Sequence, residues 1–512
     1  MHLTWLHLIF ALYFVVSLAM VAYGLHCYAM IVLFMRRQRT CRADIDREIQ
    51  SFNAARKPED YPLVTVQVPI YNEGDVVERI LRSTAQLDYP RNRYEVQVLD
   101  DSSDDTRASV DRVVREICQA GVAAQVVRRA DREDFKAGAL AYATPLARGE
   151  YLAIFDADFV IPPSFLKRTV ALFHGQPDVA CVQSRWGHTN RTENWLTRTQ
   201  SVGIDAHFAA EQGARSYNGL CMNFNGTAGV WRKTALQAAG GWQGDTLTED
   251  LDLSYRVQLA GYRIRFDFDL ECPAELPNNV AALKSQQRRW AKGSMETAVK
   301  LLPAIFRSPR LTVGQKIEAF LHLTHYGVAL LMTVLCLLTL PMLMWFSAPA
   351  HGWLFAMLWT IIVVSAVAPC VMYGVSGFML RRGMFSVLHF PAMIVAGTGL
   401  CLNNARAVCE ALVGSKTEFI RTPKSGSTSQ VSRRSRYKAQ SSVVASVVEI
   451  LLGVYCLATF ILYLHCARYW FGIFMGAYGI GLLTFGFLTI RDQFRLPLLT
   501  PRPSTPAVTG ES

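Results

Sequence analysis

The first 35 residues contain no Asp, Glu, Lys or Arg. Such a run exceeds the roughly 20 residues that cross a bilayer. It also lacks a basic leading region and a small-residue cleavage site, which argues for a retained anchor and against a cleaved signal. Charge is scarce throughout. Charged residues are 18% of the 512 and apolar ones 51%, low in charge for a soluble protein and suited to a chain part membrane, part soluble. The twelve cysteines include no CxxC pair and no metal-ligand spacing, so they read as reduced packing residues, not as a disulfide framework or a zinc site. There is no GxGxxG fingerprint, which weighs against a dinucleotide cofactor. The net charge of +11 gathers on the membrane side and not along one readable element. It points to anionic lipid or a phosphorylated substrate and away from nucleic acid.

Ala319 to Leu380 is again free of formal charge and long enough for two spans, broken at "SAPAHG", Ser347 to Gly352. Two more spans are expected at Val443–His465 and Trp470–Ile490. Phe385 to Val413 is apolar in its first half but carries Asn403, Asn404, Arg406 and Glu410 in its second, so it reads as an interfacial or re-entrant helix. Arg36, Arg37 and Arg39, then Arg381 and Arg382, then Arg491 and Arg495 mark the cytoplasmic side. The expected order is an anchor at 1–36, a cytoplasmic domain at 45–300, interfacial helices and spans at 301–413, a basic cytoplasmic loop at 414–440, two spans at 441–492 and a cytoplasmic tail at 493–512. That gives one span before the soluble domain and four after it, in a plasma (inner) or Golgi-type membrane. Glu449 falls inside a span and is expected to face a polar interior.

Within the soluble region, "LVTVQV", "YEVQVLD", "AAQVV" and "YLAIFD" read as strands and alternate with helical segments. The fold class is therefore α/β, a doubly wound and mostly parallel sheet. Such sheets bind ligands at the carboxyl ends of their strands. Three of those ends are acidic or polar: "PIYNE" (Pro69 to Glu73), "LDDSSDD" (Leu99 to Asp105) and "DADF" (Asp156 to Phe159). Carboxylates there suit a base or ribose held by hydrogen bonds and a divalent metal, Mg²⁺ or Mn²⁺, bridging a diphosphate. "LDDSSDD" also reads as a helix N-cap whose acids favour the dipole. In "TLTEDLDLSYR" (Thr246 to Arg256) Thr248 reads as an N-cap and Asp250 as a general base, two roles that are compatible. "SQQRRWAKG" (Ser285 to Gly293) reads either as a cationic collar at the membrane or as a place where something anionic and something flat are held together.

The ordered set PxYNE, DDSxD, "FKAGAL", DxD, "FNGTAGVWR", TED and QxxRW resembles the processive family 2 glycosyltransferases, with the cellulose-synthase-like A branch (β-mannan and glucomannan synthases) and its bacterial relatives as the nearest likeness. "HFAAEQ", "GGWQ" and "ELP" fit that branch too. The resemblance implies a GT-A-like domain. Pro69, Tyr71, Glu73, Asp100 and Asp101 would hold the nucleotide, with Lys136 near the phosphates, and Asp156 and Asp158 would hold the metal–diphosphate. Asn225, Gly226 and Thr248 would contact substrate, and Asp250, beside Glu249, would take the acceptor proton. Arg289 would neutralise the leaving diphosphate while Gln286 and Trp290 support the acceptor sugar. "FIRTPK" resembles a gating loop, giving Phe419, Thr422 and Lys424 as substrate contacts, with Arg421 where the pattern has valine. The surrounding Lys416 to Lys438 segment reads equally as a positive-inside loop or a substrate-sensing lid.

The implied reaction is inverting transfer of a hexosyl unit from GDP-mannose or UDP-glucose to a growing β-linked polysaccharide. The spans would pass the chain across the membrane, with Trp345, Trp353, Trp359 and Tyr373 as candidate channel aromatics. Two other readings stand beside it: a one-step lipid glycosyltransferase and a nucleotide-sensing transporter.

Overall fold

A computed structural model describes residues 2–345, 352–415 and 442–494. Seven strands form one sheet: β1 (Val64–Ile70), β2 (Tyr94–Asp100), β3 (Ala123–Val127), β4 (Tyr151–Ile154), β5 (Val179–His188), β6 (Gly229–Arg232) and β7 (Arg263–Ala274), in the order β3-β2-β1-β4-β6-β5-β7. β1 pairs in parallel with β2 and β4, and β2 with β3. β6 runs antiparallel to both β4 and β5, and β5 pairs in parallel with β7. The mostly parallel sheet is as the strand–helix alternation led one to expect. Central strands are apolar because helices cover both faces. Where polar residues enter, they pair across strands: Thr65 donates to Glu95 at 2.7 Å and Gln67 to Gln97 at 3.0 Å.

The register that sets Ile70 opposite Asp100 ends β1 and β2 at one level. Tyr71 and Asp101 therefore leave the sheet from the same edge. The amide of Asp101 donates to the Ile70 carbonyl at 3.0 Å, closing that edge.

Five helices, among the described residues, are long and apolar enough to cross a membrane: the N-terminal one, then Ile362–Met379, Phe390–Val413, Val443–His465 and Gly472–Phe494. Val313–Leu323 and Gly327–Leu343 form a further pair, bent by 64°. One candidate thus precedes the sheet domain and about four follow, as expected. Phe390–Val413, expected as an interfacial helix, is long and apolar enough to be among the five, at a mean hydropathy of 1.2. Its polar half instead faces protein: Asn403 donates to the Lys284 carbonyl and Glu410 pairs with Arg288. Glu449 meets the polar interior expected of it, its carboxylate 2.5 Å from Lys284 Nζ.

Two long helices link the sheet to the apolar helices. His2–Ala54 is continuous through residues 36 and 45, and its Phe34 and Phe52 belong to the sheet's core. The Val280–Arg307 helix likewise runs from the sheet side to the membrane side, packing on Phe390–Val413 and Tyr469–Phe494.

Candidate active site

At the end of β1 the chain turns through Asn72, whose φ of 54° is left-handed, a conformation Asn tolerates better than most residues. Its amide donates to Ser102 Oγ at 2.9 Å, and its side-chain oxygen accepts from the Ser103 amide at 2.8 Å. "PIYNE" and "LDDSSDD" are thereby clasped together. The Arg132 guanidinium lies 3.3 Å from the Tyr71 ring centroid. Asp101 faces the resulting cleft, held by Arg129 Nη2 at 2.7 Å. Asp100 does not line it. Successive residues of an extended chain point to opposite sides, and the buried Asp100 carboxylate accepts from Arg128 Nε at 2.9 Å and the Ser102 amide at 3.0 Å.

The end of β4 supplies Asp156. Its amide donates to Thr227 Oγ1 at 2.8 Å, fixing it against the "FNGT" turn. Lys136, in the first turn of the Phe135–Ala143 helix, donates to Asp156 Oδ1 at 2.5 Å and to the Gly226 carbonyl at 2.8 Å. Burial works against the Lys136 charge, but Asp156, Glu249 and Asp250 around it outweigh that, and its pKa lies above the ordinary lysine value. Asp158 is buried and accepts from the Glu275 amide at 3.2 Å, tying the second acid of DxD to "ELP".

Asp250 sits in the first turn of the Glu249–Leu259 helix, and its Oδ1 accepts from the Leu251 amide at 2.8 Å. Its pKa is pushed up to about 7 by burial and then by the Glu249 charge, against the pull of Lys136. A carboxylate poised near neutrality is what proton abstraction at neutral pH needs. Thr248 occupies the N-cap position but makes no side-chain cap bond; its hydroxyl lies 3.3 Å from that of Thr297. Gly226, at φ +82°, faces this acid. A Cβ there would stand 2.9 Å from Asp250 Oδ2 and 3.6 Å from Lys136 Nζ.

The Val280–Arg307 helix starts at Asn279, whose side chain accepts from the Ala282 amide. Gln286, Arg289 and Trp290, at i, i+3 and i+4, share one face and line the same cleft. One turn on, a Cβ on Gly293 would fall 2.5 Å from Thr248 Cγ2. The missing side chain lets this helix approach the segment that carries Asp250.

One cleft is thus lined by Pro69, Tyr71, Glu73, Asp101, Lys136, Asp156, Asp158, Asn225, Gly226, Thr248, Glu249, Asp250, Gln286, Arg289 and Trp290. Phe419, Thr422 and Lys424 lie outside the described residues. Sequence reasoning missed Arg132, Phe135 and His188, which also line it. His188 ends β5, with its Nε2 3.1 Å from Asp205 Oδ1. Burial lowers its pKa despite that carboxylate. The signal was its place at a strand end, unreadable while β5 itself went unseen.

Among the described residues no group of three or more His, Cys, Asp or Glu could hold a metal ion alone. Asp156, partly exposed to the cleft, and Asp158 next to it offer two carboxylates. That donor set suits an ion which keeps substrate phosphates as its other ligands.

The family model "Glycosyltransferase like family 2" matches residues 62–293. The chain is 38% identical over 265 residues to probable glucomannan 4-beta-mannosyltransferase 15 of Arabidopsis thaliana, covering 50% of this chain and 49% of that one. It is 42% identical over 241 residues to probable glucomannan 4-beta-mannosyltransferase 7 of Oryza sativa subsp. japonica, covering 46% and 41%. The chain thus spans about half the length of the curated relatives it matches. A mannosyltransferase from Pyrobaculum calidifontis, PcManGT, solved in complex with GDP-Man and Mn²⁺, aligns with a TM-score of 0.50 at 20% identity over 79% of this chain and 100% of that chain, a likeness of fold. The acidic strand ends, the TED segment and the QxxRW helix all fall inside the matched span, and residues 62–293 are a family 2 glycosyltransferase domain.

Proposed function

We propose that this chain transfers mannosyl units, with inversion, from a nucleotide sugar to the end of a β-linked mannan-type polysaccharide. The donor's nucleotide lies against Tyr71, Glu73 and Asp101, and its diphosphate near Lys136, Asp156 and Asp158. A divalent cation held by those two acids would neutralise charge on the leaving diphosphate. The acceptor sugar rests its apolar C–H face on Trp290. Asp250 takes the proton of the acceptor hydroxyl, and the oxygen forms its bond to the anomeric carbon. The bond from that carbon to the phosphate oxygen breaks on the opposite side, and the nucleoside diphosphate leaves beside Arg289. A single displacement turns an α-linked donor into a β-linked product, so no covalent sugar–enzyme intermediate is involved.

One observation carries this reading: a carboxylate with its pKa near 7, a lysine–aspartate pair and an indole converge on a single cleft. Mannose as the sugar is supported by the names of the curated relatives. The apolar helices following the domain support delivery of the chain into or across a membrane, with Arg36, Arg37, Arg381 and Arg382 marking the cytoplasmic side.

Purified protein given labelled GDP-mannose and Mn²⁺ is expected to yield label in an alkali-insoluble, β-linked polysaccharide. Label found only in a chloroform extract would replace the polymer with a glycolipid product. Labelled product from UDP-glucose alone would overturn the choice of sugar.

A further inference from the structure

The cations of "SQQRRWAKG" divide between two faces of one helix. Gln286, Arg289 and Trp290 face the cleft. Lys284, Arg288 and Lys292 recur every four residues and form a second stripe. At 100° per residue the two faces are centred about 150° apart. Each residue of the second stripe meets the membrane-side helices. Lys284 Nζ donates to Glu449 Oε2 at 2.5 Å and to Thr489 Oγ1 at 3.1 Å, joining Val443–His465 and Tyr469–Phe494. Arg288 Nη2 reaches both carboxylate oxygens of Glu410, at 2.7 and 2.6 Å, on Phe390–Val413. Lys292 Nζ donates to the Ser415 carbonyl at 2.5 Å, just past that helix's end.

We infer that this stripe is a positioning latch: Lys284, Arg288 and Lys292 set the distance between Trp290 and Asp250 by tying the acceptor-side helix to the membrane bundle. The inference rests on the transfer reading above. Burial gives the latch its stiffness. Lys284 and Glu449 have side chains only 6% and 2% exposed, and a buried pair that loses one partner leaves an uncompensated charge. On its other face the helix abuts Thr248 through Gly293. It is therefore clamped between the start of the helix bearing the base and the helices beneath. Movement of the bundle against the domain would carry Trp290 and Arg289 with it. No residue of the stripe lines the cleft, so these side chains act through Trp290 and Arg289 and not on substrate.

The test uses the full-length protein with labelled GDP-mannose and a mannan-oligosaccharide acceptor. Lys284→Glu and Glu449→Lys, each setting like charges together, are expected to lower kcat for transfer about 100-fold, the scale on which an ångström of misplacement acts. Donor KM should stay at the wild-type value, and the exchanged double variant Lys284→Glu/Glu449→Lys should recover most of the loss. Wild-type kinetics in the single variants, or a double variant no better than either single, would overturn the latch. Should the reversed charges prevent folding, Glu449→Gln keeps the shape. A fall in kcat at constant donor KM then supports the latch, and unchanged kcat overturns it. A wild-type protein that transfers no sugar would instead overturn the transfer reading itself.

Discussion

Lys136 and Asp156, both lining the cleft, form an ion pair, Nζ to Oδ1 2.5 Å. The same ammonium is one of the charges that hold down the pKa of Asp250. Replacing it, as in Lys136→Met, is expected to raise that pKa. A base works only when ionised, so the acid limb of the kcat/KM profile should move from about pH 7 to higher pH. The loss of rate will then be larger at pH 6 than at pH 9. A limb that stays in place would separate Lys136 from the base.

Gly226→Ala tests the tightness of the site. Its φ of +82° costs an L-residue about 1–2 kcal/mol. The new Cβ also arrives 2.9 Å from Asp250 Oδ2. Transfer should fall about 100-fold, more than the modest loss of stability explains. Comparing kcat with the thermal midpoint of the same preparation separates the two effects.

Asp250 should lower stability where it aids catalysis. Its folded pKa of about 7 lies above the unfolded value of about 3.9. Between those values the folded state binds more protons, so stability falls as pH rises through that window and levels off above it. Asp250→Asn, which can still accept from the Leu251 amide, is expected to raise the thermal midpoint of ligand-free protein at pH 8. It should change it little at pH 4. A variant less stable than wild type at pH 8 would contradict the raised pKa.

Chelation should abolish transfer, and Mn²⁺ or Mg²⁺ should restore it. Asp156→Asn removes one of the two DxD carboxylates proposed to hold the ion and is expected to raise the metal concentration needed for half-maximal rate. Full activity in chelator would exclude a metal role for the DxD pair.

The sequence was most informative where chemistry and local structure coincide. β1, β2 and β4 are short, mostly apolar runs with an acid at or just past their ends, so both strand and site could be read directly. β5 and β7 were hidden because their charges are satisfied only in three dimensions. Arg185 meets Glu271, Asp267 meets Arg168, and Arg265 meets Glu48 of the N-terminal helix. β6 spans only four residues inside "FNGTAGVWR", where the glycines read as a turn. Asp100 and Asp101 are adjacent letters, and which one faces the cleft depends on the β1–β2 register. The membrane-side face of the Val280–Arg307 helix also needed coordinates, since Lys284 and Glu449 are 165 residues apart. No periodicity in one segment reveals a partner at that distance.

The most direct measurement is transfer and nucleotide binding in the same Asp250→Asn preparation. Loss of transfer by about 1,000-fold or more, with GDP affinity unchanged, is the outcome expected if this carboxylate is the base. Transfer at the wild-type rate in Asp250→Asn would contradict it.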